Sequence, residues 1–544
     1  MVIRLFTKKR PSGSWSVGSA SAGALLALFS SCASYSARNH LSYHVLPVAA
    51  EGELGEFEYR EPPGADGKAI PRGQDLAEHV GIVLRNARKE TDLRCGEVRA
   101  DPVPLMVAIH GGRNTPRAAA ARVDELLRVI HLEDYGSPEK PWSYPVFINW
   151  RSGDFTTVWG RLWKLRQGRD LNGPGGWLSF PLEIVHDLTR GVARLPRSLV
   201  YGVFRDLSVA TRVASGINIQ RSWEDSDRIA HAMETPEIDG WEDPFDIRAA
   251  EYSRSTVAHG ARLLTYFPTQ LTKIPLQAIV LEGLGQGAWD VMRRRASHLV
   301  GTPLAYEVDT DGGSDRDLRE FYGSGEIDGE QMVDGALPLL YQGMVESEER
   351  YKLTLVAHSM GAIAINDSLA ALSQAIEDAK SRIEVERIIY MAPACTVGDA
   401  ADALVPFLEQ HRDTHFHLLT LHPIAEADEY NLFDLVPRGS LLEWIDVYYS
   451  RPATHAERVF GKWANAVPAV GHYASVRDQV HIKAFDVNGG SYPQKHGHFF
   501  EIPFWRPEAY ETGRSACFEP DWLGQECGRL EQRCREEGRR NRAW

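Results

Sequence analysis

Short apolar runs recur through the middle and C-terminal parts of the chain, each with the length of a buried strand. They are VPLMVAI (103–109), YPVFINW (144–150), LTLV (353–356), RIIYMAPA (387–394), HFHLLTLHP (415–423) and QVHIKAF (479–485). About 200 residues separate the second run from the third. One crossover helix fills little of that, so a helical insertion is predicted over 156–335. Inside it, TTVWGRLWKLRQGRD sets Val158, Leu162 and Leu165 on one helical face, with Trp159 and Trp163 beside them. The next segment interleaves apolar residues with Arg190, Arg194 and Arg197. A second helical block, 283–300, carries Arg293, Arg294 and Arg295, which cannot share one face. Residues 33–101 are polar and rich in Gly, Pro and charge, so they predict a linker and weakly marked first elements. The core sheet is expected to start near residue 102.

The run LTLV leads into Ala357-His358-Ser359-Met360-Gly361 and then into Ala362, Ile363, Ala364 and Ile365. A strand, a sharp turn holding a serine, and a helix make up a nucleophile elbow, where small neighbours let strand and helix approach. The pentapeptide alone is weak; an ordinary polar turn residue is the plain alternative. In this setting the residues resemble the α/β-hydrolase superfamily, and within it the lipase and esterase-like members that carry A-H-S-M-G. Ala357 stands where Gly is commoner.

The resemblance implies an α/β fold: an α/β-hydrolase sheet of mostly parallel strands flanked by helices, its core split into 102–155 and 336–505. The large helical insertion then falls between the fourth and fifth strands, and the serine strand is the fifth. It also implies an oxyanion loop after an earlier strand, an acid after the seventh and a histidine after the eighth. His110-Gly111-Gly112 ends VPLMVAI, and glycines there let backbone N–H groups approach a developing oxyanion. A plain Gly-Gly turn is the alternative. The second donor would be the N–H of Met360.

The acid slot, LHPIAEADEYNLFD, holds Glu426, Asp428, Glu429 and Asp434. Placement a few residues past the strand favours Glu426 or Asp428, and spacing does not choose between them. The histidine slot, SYPQKHGHFFEIPFW, holds His496 and His498. Family loops that run His-x-x-Phe favour His496 as base, with His498 the alternative. A serine hydroxyl needs such a base to take its proton during attack, and a carboxylate to orient the imidazole.

Composition narrows the function classes. The chain of 544 residues is 43% hydrophobic, enough for a sizeable core, and its formal net charge is −14. That charge argues against a nucleic-acid binder. No Walker-type phosphate loop and no zinc spacing is visible, so neither a metal nor any cofactor is expected. Between 151 and 212, however, ten Lys or Arg face five Asp or Glu. Basic amphipathic helices bearing Trp can lie on anionic membranes or form lids. The bland alternative is a stripe packed on the core with its arginines in water.

The N-terminus (1–32) has the form of an export signal. Arg4, Lys8, Lys9 and Arg10 precede a short apolar segment ending Phe29-Ser30-Ser31-Cys32. That ending resembles a bacterial lipobox, which makes Cys32 a candidate for lipidation; ordinary cleavage and an uncleaved anchor are the alternatives. Any of these would place the protein in the cell envelope. Three of the remaining cysteines, Cys517, Cys527 and Cys534, crowd the charged tail (506–544), where a disulfide fits an oxidising compartment; Cys95 and Cys395 stand apart.

The expected activity is therefore serine-dependent cleavage of a small-molecule or lipid ester, with membrane association through Cys32 or the basic insertion. An acyltransferase with the same triad and an inactive hydrolase-fold binding protein are the competing expectations.

Overall fold

A computed structural model describes residues 41–49, 54–55, 73–95, 101–112, 116–134, 143–150, 152, 165–166, 169–170, 185–193, 196, 281, 283, 285–303, 332–421, 425–426, 429, 439–450, 452–485, 493, 495–501 and 504. Its centre is a sheet of seven strands: β1 (Val45–Val48), β2 (Val103–Ile109), β3 (Tyr144–Trp150), β4 (Tyr351–His358), β5 (Ile383–Met391), β6 (His415–Leu421) and β7 (Val480–Phe485). The spatial order is β1-β3-β2-β4-β5-β6-β7. Every pairing in it is parallel. Parallel neighbours need crossover connections, which put helices on both faces and bury the strands on both sides. All seven residues of β3 are buried, and so is every residue of β4 except the half-buried Lys352.

The main helices are α1 (Leu76–Cys95), α2 (Pro116–Asp134), α3 (Gln286–Ser297), α4 (Ala336–Glu346), α5 (Gly361–Asp378), α6 (Val397–Gln410) and α7 (Trp463–Gly471). Helices α1, α4, α5 and α6 pack side by side, and α3 lies against α5. Capping fixes where α6 begins: Thr396 accepts the Asp399 N–H, and the Asp399 side chain accepts the Thr396 N–H. Trp444 and Trp463 are buried, as expected of core residues.

Two expectations change. The sheet starts before residue 102, because β1 pairs with β3 at the edge. Four residues, one of them Pro47, give too little periodicity to be seen, and an edge position tolerates the proline. Among the described residues the serine-bearing strand is the fourth of seven in chain order, and residues 156–335 lie between the third and the fourth. All main-sheet pairings are parallel rather than mostly so.

Parts of residues 156–335, where a helical insertion was expected, are described. Leu165–Arg166 pairs antiparallel with Arg169–Asp170, so the amphipathic helix expected around Leu165 does not extend there. Gly168, in the sequence between the two pieces, is a poor helix residue. Gly301–Pro303 and Met332–Asp334 form a second ribbon.

Residues 185–193 are helical, but with the bland expectation reversed. Val185 and Val192 are 60% and 57% exposed, while Asp187 is fully buried and paired to Arg190 at 3.0 Å. Trp159, Trp163, Arg194, Arg197, Cys32 and the tail cysteines lie outside the described residues. Among the described residues, no helix is long and apolar enough to cross a membrane.

Candidate active site

The chain between β4 and α5 turns at a single residue. Ser359 has φ of 54°, a left-handed conformation that costs a non-glycine residue of order 1 kcal/mol or more. Such strain persists only where the surroundings over-determine it. Here the Ser359 N–H donates to the Met391 carbonyl at 2.9 Å, and the Ser359 carbonyl accepts from the Ala394 N–H at 2.9 Å. Both partners lie at or just past the end of β5, so the neighbouring strand grips the turn from both sides.

Gly361 opens α5 in close contact with β2. A Cβ on it would stand 2.6 Å from the Ile109 carbonyl oxygen, so only glycine lets the helix start this near the sheet. Met360 is the N-cap of α5. A helix leaves its first N–H groups without intrahelical partners; here Ala362 and Ile363 donate to the Ser359 and Met360 carbonyls at 3.2 and 3.1 Å, and the Met360 N–H lies just before them at the turn.

His496 reaches this serine from the far end of the sequence. Its Nε2 lies 2.9 Å from Ser359 Oγ, so the hydroxyl can donate to the imidazole. His496 begins a short 3-10 turn, His496–Glu501, in which Phe499 is fully buried and packs edge-on against Phe485 at the end of β7. The aromatic three residues on anchors the turn that carries His496. His498, the alternative base, is half-buried, and no bond between it and the serine is found among the described residues. Burial holds its pKa down, to about 4.

The glycine loop also comes to the elbow. A Cβ on Gly111 would stand 2.8 Å from both Ser359 Cβ and His358 Nδ1. One on Gly112 would stand 2.8 Å from Met360 Sδ and 3.3 Å from Met292 Sδ. The Gly111 carbonyl accepts from His110 Nδ1–H at 2.8 Å and from the Ser152 hydroxyl at 3.2 Å. Peptide planarity then turns the Gly112 N–H the opposite way. His110 is itself fixed, since Trp150 Nε1–H donates to its carbonyl and the Trp150 main-chain N–H to its Nε2. Burial keeps the His110 ring neutral, its pKa lowered to about 4.

The acid candidates separate. Glu426 is buried, and its carboxyl accepts a short hydrogen bond from the Ser440 hydroxyl. Burial raises its pKa to about 8, with the Ser440 bond opposing the shift, so it holds its proton at neutral pH. Glu429 accepts the His496 main-chain N–H at 2.9 Å. It is therefore the described carboxylate bonded to the His496 main chain, though it was not among the two that spacing favoured. Asp428 and Asp434 lie outside the described residues.

Three features carried no signal in the sequence. His358 sits inside the quoted pentapeptide, but its contact with His496 spans 138 residues. Trp150 closes strand β3, and Ser152 lies just past it, with no motif marking either. Met292, from α3, reaches the glycine loop.

Ser359, His496, Gly111, Gly112 and Met360 thus converge on one point at the C-terminal ends of β2 and β4. This is a serine beside an imidazole, next to a glycine loop and a helix N-terminus, an arrangement suited to nucleophilic attack on a carbonyl. Compared with known family models, curated proteins and solved structures, the chain matches none.

Proposed function

We propose that the protein is a serine hydrolase that cleaves carboxylic esters through an acyl-enzyme on Ser359. The observation that carries this is the strained serine at a strand-to-helix turn, 2.9 Å from His496 Nε2. Further support is the strand order, which is that of the α/β-hydrolase sheet less its first strand, with the serine, the acid loop and the histidine in family order.

In this mechanism Ser359 Oγ attacks the ester carbonyl carbon while its proton passes to His496 Nε2. The carbonyl π pair moves onto oxygen, where the N–H groups of Met360 and of the Gly111-Gly112 segment receive it. Losing one such donor typically costs about 3 to 4 kcal/mol. Collapse expels the alcohol, which takes the proton from His496. Water then repeats the sequence on the acyl-enzyme and frees the acid. A carboxylate of the 426–429 loop steadies the imidazolium; Glu429 is the one bonded to the His496 residue. No step uses a cofactor.

The acyl group is apolar on this proposal, because the thioethers of Met292 and Met360 flank Gly112. A lipid-surface setting draws support from the outward-facing Val185, Leu188 and Val192, alongside the export-signal and lipobox pattern at Cys32. The test is labelling by a fluorophosphonate probe together with turnover of p-nitrophenyl esters of graded chain length. Labelling and turnover that vanish in both Ser359→Ala and His496→Ala are expected. A folded wild type that neither labels nor turns over any ester refutes the proposal, and acyl-enzyme that accumulates until an alcohol is added favours an acyltransferase.

A further inference from the structure

We propose that His358, the residue immediately before the serine, is a positioning residue that sets where the base His496 stands, through a hydrogen bond to the His496 carbonyl. This deepens the hydrolase reading and rests on it.

His358 Nε2 lies 2.9 Å from the His496 main-chain oxygen. A carbonyl only accepts, so the ring must be the Nε2–H tautomer, leaving Nδ1 unprotonated. The donor is fixed in place. His358 is 6% exposed, its ring packs 5.0 Å from the His496 ring at a tilt of 37°, and Phe499 lies on it at 6.4 Å. On the Nδ1 side, Gly111 leaves room that a Cβ would fill. One ring therefore touches the elbow it belongs to, the glycine loop and the backbone of the base.

The His496 peptide groups are held from both sides by side chains. Glu429 accepts the N–H and His358 donates to the C=O, each at 2.9 Å. Ordinary 3-10 hydrogen bonding leaves the N–H of the first residue without a partner, which Glu429 supplies, and a carbonyl has two lone pairs, so His358 adds a side-chain donor to the one the turn itself uses; these two side-chain contacts fix where the imidazole projects. Because His358 leads directly into Ser359, its bond links nucleophile and base through a single residue. The bond also explains why an imidazole, rather than any small residue, occupies this position of the elbow. Misplacement of reacting groups by about 1 Å can cost on the order of a hundredfold in rate.

The isosteres separate the bond from the bulk. Glutamine places its amide N–H near the Nε2 position, whereas asparagine places it near Nδ1 and falls short of the carbonyl. The experiment compares wild type with His358→Gln, His358→Asn and His358→Leu. It measures the second-order rate of fluorophosphonate labelling, and kcat and KM on a p-nitrophenyl ester, per folded molecule judged by near-ultraviolet circular dichroism.

Expected is labelling and kcat reduced by about a hundredfold in Asn and Leu, KM nearly unchanged, and Gln much closer to wild type. Should Leu fail to fold, the Gln and Asn pair decides alone. Asn labelling as fast as wild type, or Gln falling as far as Asn, overturns the role while leaving the hydrolase reading intact. A folded wild type that neither labels nor turns over sinks the reading itself, and this role with it.

Discussion

Acid should expose His358 thermodynamically as well as catalytically. Burial lowers its pKa from 6.5 to about 3; the His496 carbonyl bond opposes the shift, and the nearby Arg122 and His110 add to it. The folded pKa is depressed, so between 6.5 and about 3 the unfolded chain binds a proton that the native ring does not. The stability this group contributes is full above 6.5 and is lost as pH falls through that window.

At about pH 5 the unfolded ring lies roughly 1.5 units below its own pKa, and at about 1.4 kcal/mol per unit the native state loses about 2 kcal/mol. The folded value hardly enters, because about 3 is already far below that pH. Urea unfolding of wild type and His358→Gln, followed by tryptophan fluorescence near neutral pH and near pH 5, reads this directly. The stability difference should move by about 2 kcal/mol in favour of the variant on acidification. Other groups titrate too: burial lowers His110 to about 4 and raises Glu426 to about 8, with opposite effects on acidification. Both are present in both proteins and cancel in the difference. Parallel pH dependences for the two proteins would show that His358 is not a buried neutral ring, and the tautomer assignment would go with it.

Other substitutions probe the same neighbourhood. Glu426 already carries its proton at neutral pH, so Glu426→Gln should leave labelling near wild type; it should also remove a loss of stability that wild type suffers between about 4.5 and 8 as pH rises, read by urea midpoints across that range. Glu429→Gln exchanges a charged acceptor on the His496 N–H for a neutral one, and labelling should fall by about tenfold; an unchanged rate would return the acid role to the 427–428 segment. In Gly111→Ala the new methyl meets His358 and Ser359 at 2.8 Å, so calorimetry should find about 1 to 3 kcal/mol of lost stability, with a larger fractional loss in kcat than in KM.

What the sequence disclosed follows from the range of each interaction. The elbow was legible because its demands are local: an apolar strand, one residue able to hold φ of 54°, and a glycine that lets α5 touch Ile109. His496 was legible for a different reason, since Phe499 three residues on is the buried anchor of its turn. The strands of the sheet centre announced themselves by continuous apolar runs. Strand β1 did not, because four residues at an edge, with Pro47 among them, produce no pattern that rises above a loop. The insertion misled around Leu165, where a helical spacing of apolar residues coexists with an antiparallel pairing to Asp170.

The partners of the loop carboxylates and of the His358 ring were illegible for a shared physical reason. Four carboxylates within one loop are equivalent until tertiary contacts give each a different partner. Glu426 is taken by Ser440 and Glu429 by the His496 N–H, so burial and hydrogen bonding divide residues that spacing cannot. His358 reads as a variable position in a five-residue pattern, yet its side chain spans to the carbonyl of His496, 138 residues on. Chain order can specify which residue types meet at Ser359. The distance at which they meet is set by contacts between main-chain groups and distant side chains, and those leave no periodic trace. The Gln and Asn pair at His358 therefore tests more than one residue: it asks whether nucleophile and base are held in register by a bond or by packing alone.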